Sequence, residues 1–154
     1  MRHSVRGFTL IELMVGLVLI AILVSLAGPA FNDAFERSRA DSEVGEMVSA
    51  LNLARLEAIN RGANVSVDAV DTSVGWTAGL VVKLADDSIL RNFPAMATGG
   101  ELSEANGAES IVFNGFGGLE APADDVTFTY TRGSVPARTV SICLTGRIQT
   151  GAEC

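Results

Sequence analysis

The sequence has very little histidine and cysteine, and this shortage excludes most catalytic and metal chemistry. Its 154 residues contain one histidine, His3, and two cysteines, Cys143 and Cys154. A Ser-His-Asp site needs an imidazole, and a structural zinc site usually takes four nitrogen or sulfur ligands. The glycine-rich stretch at residues 115–118 has no nearby lysine to hold a phosphate. We therefore expect a protein that is not an enzyme and that carries neither a metal nor a cofactor. The acidic pairs Asp86-Asp87 and Asp124-Asp125 are expected to be solvated turns, with calcium binding as the alternative.

Charge is almost absent from residues 8–31. Between Phe8 and Phe31 the only charged residue is Glu12. About 20 apolar residues in a helix cross a bilayer core, so the length of this segment predicts a membrane span. Basic residues, Arg2 and Arg6, precede the segment, and the positive-inside rule then places the N-terminus in the cytoplasm. The rest of the chain, beyond about residue 32, is expected outside the cytoplasm.

Glu12 needs an explanation, because a charge at membrane depth costs a few kcal/mol. An ordinary secretory signal peptide, with a cleavage site within residues 25–30, does not explain a glutamate inside its apolar segment. If the chain is instead cut after Gly7, the new amine of Phe8 lies one helical turn from Glu12. In an assembly of parallel, staggered helices, that amine can meet the carboxylate of a neighbouring subunit and fix the register. The alternative is a glutamate that pairs within its own subunit or reaches the membrane surface.

A helical pattern continues beyond the apolar segment. Apolar residues recur at three- and four-residue spacing, which is typical of an amphipathic helix. They are Val44, Met47, Val48, Leu51, Ala54 and Ala58. The sequence Asn60-Arg61-Gly62 is a stop signal, with glycine suited to the residue after a helix. The pattern predicts one long helix that ends near residue 61 and packs its second half on the remaining domain.

The last 90 or so residues predict short strands separated by turns. The predicted strands are residues 64–70, 76–84, 88–93, 110–114, 126–131 and 138–144. Residues 97–107 are predicted to form a mobile loop, and residues 115–125 and 133–136 are predicted breaks. The sequence contains no internal repeat and no sign of a second globular domain. Helix followed by strands indicates the α+β class.

The sequence GFTLIEL behind a short basic leader resembles the class III signal of type IV pilins and type II secretion pseudopilins. The resemblance implies that a prepilin peptidase cuts between Gly7 and Phe8 and that the Phe8 amine is then methylated. It also implies a register role for Glu12 in assembly. The pair Gly28-Pro29 resembles the helix-breaking position of these proteins, where proline removes a backbone hydrogen bond and favours a kink.

Five later segments resemble a narrower group. In order, ARLEAINRGANVSV, GWTAGLVV, SILRNF, SIVFNGFG and RTVSICLTGRI are similar to the GspH/FimT family of minor pilins and minor pseudopilins. The resemblance implies a type IV pilin-like α+β fold, with a long N-terminal helix, membrane-spanning in its first half, packed on antiparallel sheets. It implies a minor pilin that joins and primes a type IV pilus, or a minor pseudopilin of type II secretion. The implied partners are other pilin or pseudopilin subunits, the prepilin peptidase and the inner membrane.

These inferences predict a three-part organisation. Residues 1–7 are the leader, residues 8–31 the membrane and filament-core helix, and residues 32–154 a periplasmic pilin-like domain that includes the second half of the helix. Before assembly we expect a bacterial inner-membrane protein with a single span, and after assembly a filament subunit. Cys143 and Cys154 would both lie on the oxidising side of the membrane, so a disulfide between them is expected.

DNA binding is a further alternative. Some FimT-like minor pilins take part in DNA uptake, and the resemblance places their basic motif at residues 146–149, GRIQ. Gln149 stands where a second arginine is expected, although Arg132, Arg138 and Arg147 could form a patch if their turns meet. Loss of the two leader arginines changes the formal charge from −7 to −9, which repels phosphate.

Overall fold

The computed structural model describes residues 8–154, and for residues 26–30 the backbone alone. The predicted leader, including Gly7, lies outside the described residues. The described chain forms a helix, α1 (Leu10–Arg61), a short 3-10 turn (Trp76–Ala78) and nine strands. The strands are β1 (Val65–Ala69), β2 (Leu80–Leu84), β3 (Ile89–Phe93), β4 (Gly100–Glu104), β5 (Ser110–Phe113), β6 (Leu119–Ala121), β7 (Val126–Arg132), β8 (Val135–Ile142) and β9 (Ile148–Thr150). The chain divides into two compact units, with the boundary between Phe35 and Glu36.

The strands form two antiparallel sheets. The first has the order β3-β2-β1-β5-β6, and the second has the order β4-β7-β8-β9. In the first sheet Val67 lies opposite both Val82 and Ile111. In the second sheet Phe128 lies opposite Val140. Alternate residues of β1 and β7 are buried, because successive side chains of a strand point to opposite faces.

The second half of α1 supplies one side of a core shared with both sheets. Its buried residues are Ala40, Val44, Met47, Ala50, Leu51, Ala54 and Ala58. They form one apolar cluster with residues of the first sheet, such as Val82, and of the second, such as Phe128. The predicted packing of a long helix on antiparallel sheets is confirmed. Val48, which the periodicity places on the same face, is only partly buried.

The helix ends at the predicted stop signal. Gly62 has a φ of 61°, a left-handed conformation that glycine adopts without steric cost. Its N–H donates to the carbonyl of Ile59 (3.3 Å), and the N–H of Ala63 donates to that of Ala58 (3.2 Å). This pair of bonds is a Schellman motif, which satisfies carbonyls that the helix end would otherwise leave unpaired.

The predicted loop over residues 97–107 is wrong, because it contains β4. Leu102 of β4 lies opposite Tyr130 of β7, and five residue pairs join the two strands. The sequence of β4, GELSE, has one glycine, two glutamates and no β-branched residue, so its intrinsic strand propensity is low. Pairing with β7 in the folded domain overrides that propensity.

Smaller differences lie at other turns. Residues 76–78 form a 3-10 turn instead of the first part of a strand, and β8 begins at Val135 within a predicted break. Two three-residue strands, β6 and β9, were not predicted as separate strands. Strands this short carry too few alternating positions to give a period-2 signal.

The N-terminal segment forms the first part of α1. Over residues 8–154, no helix combines the length and the apolar character that crossing a membrane requires. The predicted membrane span over residues 8–31 is therefore not confirmed. The backbone stays helical through Gly28 and Pro29, so α1 does not end at this pair. The predicted kink stays a prediction.

Candidate functional site

The first turns of α1 present a continuous apolar surface to solvent. Phe8 is 87% exposed, and every large apolar side chain from Leu10 to Val24 is more than half exposed. These residues are Leu10, Ile11, Leu13, Met14, Val15, Leu17, Val18, Leu19, Ile20, Ile22, Leu23 and Val24. Soluble monomers rarely expose an apolar surface of this extent, so it marks a surface that another molecule covers.

Glu12 closes a capping box at the start of this surface. The hydroxyl and the backbone N–H of Thr9 both donate to Glu12 Oε2, at 2.8 Å and 2.9 Å. In return the Glu12 N–H donates to Thr9 Oγ1 at 3.3 Å. This reciprocal bonding satisfies N–H groups that a helix start leaves without partners. The sequence pattern Thr-x-x-Glu at residues 9–12 carries this signal, although the capping box was not predicted.

The capping box bears on the two alternatives for Glu12. In the single subunit, the carboxylate pairs within its own chain through Oε2. The other oxygen, Oε1, has no hydrogen-bond partner among residues 8–154. One oxygen thus takes no part in the capping box. The register role of Glu12 stays a prediction.

A second polar site, which was not predicted, lies where α1 meets the second sheet. Arg132, the last residue of β7, has a side chain only 2% exposed. Its Nε donates to Glu36, and its Nη1 lies 3.3 Å from Glu43 Oε1 and 3.4 Å from the Tyr130 hydroxyl. We call these four residues the Arg132 cluster. A buried guanidinium is stable only when carboxylates and other acceptors surround it.

Backbone groups complete the cluster. The carbonyls of Ala97 and Thr98 accept from Arg132 at 3.3 Å and 3.0 Å, and the Ala97 N–H donates to Glu43 at 2.9 Å. Gly100 leaves the space that these bonds need. A Cβ atom at this position would lie 2.8 Å from Glu43 Oε2 and 2.9 Å from the Tyr130 hydroxyl oxygen. The glycine that weakens the strand signal of β4 therefore makes room for the cluster.

The cluster changes the acidity of its members. The pKa of Tyr130 is raised above its ordinary value of 10.0, first by burial and then by the hydrogen bond from its hydroxyl to Glu43 (2.6 Å). The pKa of Arg132 is raised above its ordinary range, first by its hydrogen bond to Tyr130 and then by that to Glu36. The fold thus favours a neutral phenol and a charged guanidinium.

The raised pKa of Tyr130 predicts a pH dependence. The neutral phenol stabilises the fold, so this contribution is complete below pH 10.0 and is lost as pH rises through the pKa of the folded state. Tyr130 is the only tyrosine of the chain. We therefore expect the ultraviolet absorbance of phenolate to appear at higher pH in the native protein than in the unfolded one. Equal midpoints for the phenolate titrations of the native and the unfolded protein would contradict the cluster geometry.

The arginines of the predicted DNA-binding patch do not come together as proposed. Arg132 is buried in its cluster, so it is unavailable to phosphate, which corrects the expectation that it could join a patch. Arg138 Nε donates to Asp41 (3.1 Å), and Arg147 is exposed in the turn between β8 and β9. The Cys143 N–H donates to the Arg147 carbonyl, so Arg147 lies beside Cys143, which is five residues, or about 17 Å of extended chain, from Arg138. DNA binding through Arg138 and Arg147 stays a prediction.

The predicted disulfide is confirmed. Cys143 and Cys154 are bonded, with 5.5 Å between their Cα atoms. The bond anchors the C-terminal segment beside β8, where Ile148 of β9 lies opposite Ile142. Among the described residues, no group of three or more His, Cys, Asp or Glu side chains is placed to hold a metal ion.

Removal of the disulfide has a predictable cost. The bond spans 11 residues, and closing a loop of this length stabilises a fold by roughly 3 kcal/mol in the chain-entropy account. We expect the double substitution of Cys143 and Cys154 by serine to lower the free energy of unfolding by about this amount. Denaturant unfolding of the full chain in detergent, compared with the oxidised and reduced wild type, measures it. An unchanged midpoint would show that β9 is held without the bond.

The geometry defines the class to which the chain belongs. A long N-terminal helix with an exposed apolar first part, packed by its second part on antiparallel sheets, is the architecture of type IV pilin-like proteins. Residues 43–146 match the family described as Type II transport protein GspH, and residues 2–28 match the prokaryotic N-terminal methylation motif. The chain belongs to the GspH family, as the resemblance of its sequence segments implied.

Three relatives illustrate the range of this similarity. The type IV major fimbrial protein FimA of Dichelobacter nodosus is 31% identical over 117 residues, which are 76% of this chain and 71% of that protein. The crystal structure of the type IV minor pilin FimU of Pseudomonas aeruginosa matches with a TM-score of 0.66 and 29% identity, over 76% of this chain and 91% of that one. The minor pseudopilin EpsH from the Type 2 Secretion System of Vibrio cholerae has a TM-score of 0.54 and 20% identity, over 76% of this chain and 96% of that one. The last likeness is evidence of fold alone.

Proposed function

We propose that this chain is a FimT/FimU-like minor pilin that assembles into a type IV pilus and primes its assembly. The exposed apolar surface from Phe8 to Val24, which lies within the N-terminal methylation motif over residues 2–28, carries the proposal. Burying a leucine, isoleucine or valine side chain contributes roughly 1.5–3 kcal/mol. Lipid covers this surface before assembly and the helices of neighbouring pilin subunits cover it in the filament, where close side-chain packing and interhelical contacts favour association.

The proposal includes a processing pathway. The chain is inserted in the inner membrane through residues 8–31, with its N-terminus in the cytoplasm and residues 32–154 in the periplasm. The prepilin peptidase cuts between Gly7 and Phe8, and the new amine is methylated. The methylation motif over residues 2–28 supports this pathway, as do the basic residues that precede the apolar segment.

Glu12 has the register role in this proposal. The methylated amine of Phe8 in one subunit meets Oε1 of Glu12 in its neighbour, while Oε2 keeps the capping bonds to Thr9. An ion pair shielded from water is sensitive to geometry, so it favours one stagger of the helices over others. The role of the protein is assembly, and no catalytic step belongs to it.

A second candidate is a GspH-like minor pseudopilin of a type II secretion system. The description of the matching family, Type II transport protein GspH, favours it. The likeness to the minor pilin FimU has the higher identity and TM-score, 29% and 0.66 against 20% and 0.54 for the pseudopilin EpsH. We therefore place the pilin first.

Deletion of the gene, with and without restoration of the wild-type chain, separates the two candidates. The minor-pilin proposal predicts that sheared surface pili disappear while secreted proteins reach the medium at the wild-type level. The opposite pattern, normal pili with blocked secretion, would establish the pseudopilin. If neither pili nor secretion changes, both candidates fail.

A further inference from the structure

The two carboxylates of the Arg132 cluster are held very differently. The Glu43 side chain is 12% exposed and accepts bonds from the Ala97 N–H, the Tyr130 hydroxyl and Arg132. The Glu36 side chain is 41% exposed, and among the described residues it has only Arg132 and, at 4.0 Å, Arg39 as cationic partners. Water can therefore replace Arg132 as the partner of Glu36 but not easily as the partner of Glu43.

If Glu36 leaves, Arg132 loses the acceptor of its Nε but keeps the partners of its terminal nitrogens. Glu43 still balances its charge, and the carbonyls of Ala97 and Thr98 still accept from its terminal nitrogens. Loss of Glu36 thus leaves no isolated charge in the interior. Loss of Glu43 would leave the Tyr130 hydroxyl and the Ala97 N–H without their acceptor, at the cost of unsatisfied buried groups.

The helical stretch between the two glutamates has little other attachment. Residues 36–43 cover two helical turns, about 10 Å, and Ala40 is their only buried apolar side chain. One further ion pair, Asp41 with Arg138, lies on the surface, where such pairs contribute little. From Val44 onward the helix buries large side chains such as Met47 and Leu51. The apolar core therefore holds α1 from Val44, and polar contacts hold the two turns before it.

We propose that the Glu36–Arg132 bond is a releasable contact that sets how much of α1 the globular domain holds. When the bond is intact, the domain holds the helix from Glu36, where the compact unit begins. When Glu36 is released, Glu43 keeps its bonds to Arg132, Tyr130 and Ala97, and the residues before Glu43 detach while the core remains folded. The free part of the helix is then two turns longer. The proposed use of this release is that a longer free helix favours entry into the filament. This use rests on the proposed function, whereas the contact itself does not.

Hydrogen exchange of the full chain in detergent tests the contact. In Glu36→Gln, we expect amide exchange over residues 36–43 to rise roughly tenfold, the factor for replacing a charge-assisted hydrogen bond by a weaker neutral one. Exchange over residues 44–58 should stay at the wild-type rate, because the apolar core is unchanged. The matched control is Glu46→Gln, which makes the same charge change at an exposed position of the same helix and should leave both segments unchanged.

A second variant changes Glu43, the other carboxylate of the Arg132 cluster. Glu43→Gln should raise exchange across the whole segment 36–58 and lower the melting temperature, since it disrupts bonds to both sheet and loop. Unchanged exchange over residues 36–43 in Glu36→Gln would overturn the proposal. So would an equal rise over residues 44–58, which would show that Glu36 supports the whole domain.

Failure of this inference is distinguishable from failure of the proposed function. Exchange is measured on the isolated protein, so it reports on the contact whether or not the chain enters pili. In sheared filaments, we expect Glu36→Gln to be present at or above the wild-type amount. Glu12→Ala should be depleted from filaments with unchanged exchange over residues 36–43. If Glu36→Gln shows released exchange but is depleted from filaments, release hinders assembly and the proposed use is wrong.

Discussion

Replacement of Arg132 by alanine is expected to lower the free energy of unfolding by about 3 kcal/mol. Breaking a buried ion pair by removing one partner typically costs 3–5 kcal/mol, because the remaining charge loses its compensation. The lower end applies because Glu36 remains accessible to water, whereas Glu43 and the carbonyls of Ala97 and Thr98 lose a buried donor. Denaturant unfolding of the full chain in detergent measures the change.

The matched control for Arg132 is Arg138→Ala. Arg138 is the other arginine of the second sheet that pairs with an acidic residue of α1, but its partner Asp41 is 64% exposed. Surface pairs of this kind contribute about 0–1 kcal/mol. Arg132→Lys should fall between the two, since an ammonium keeps the charge and lacks the planar set of donors. Equal, small effects of the Arg132 and Arg138 replacements would mean that the cluster does not fasten α1 to the sheet.

Glu12→Ala is expected to reduce the amount of the chain in sheared filaments by roughly tenfold, the factor for one charge-assisted contact. Cleavage after Gly7 should continue, because the substitution lies beyond the cleavage site and leaves the basic leader intact. The measurement is quantitative immunoblotting of the membrane and the sheared fractions. Normal incorporation of Glu12→Ala would refute the register role.

Thr9→Val separates the register role of Glu12 from its capping role. Valine keeps the size of the side chain but removes the hydroxyl that donates to Glu12 Oε2 and accepts from the Glu12 N–H. Loss of a capping side chain costs typically about 1 kcal/mol of helix stability. If Glu12 acts between subunits, Thr9→Val should incorporate nearly normally while Glu12→Ala does not. Equal defects in both variants would assign Glu12 to capping alone.

Local sequence signals predicted the family, the long helix and most of the longer strands. Glycine, with its permitted left-handed conformation, marked the helix end at Gly62. Alternating apolar residues marked β7 through Val126, Phe128 and Tyr130, which are all buried. These features depend on residues that are near one another in the chain, so they can be predicted from the sequence.

The Arg132 cluster depends on residues far apart in the chain. Arg132 follows Glu36 by 96 positions and Glu43 by 89, and only the pairing of β4 with β7 closes the site around them. The seven-residue spacing of the two glutamates places them on one helix face, but the same spacing is typical of a solvated surface. Arg132 itself gave no sign of burial, because an arginine at the end of a strand is usually exposed.

If the chain is a minor pilin, it is a processed subunit of a surface pilus. Mass spectrometry of filaments sheared from the cell, with a search for the N-terminal peptide of the mature chain, tests this. We expect a peptide that begins at Phe8 with a methylated amine, together with peptides from the globular domain. Finding no peptide of the chain in filaments that contain other pilins, or finding it with the leader attached, would refute the proposed function.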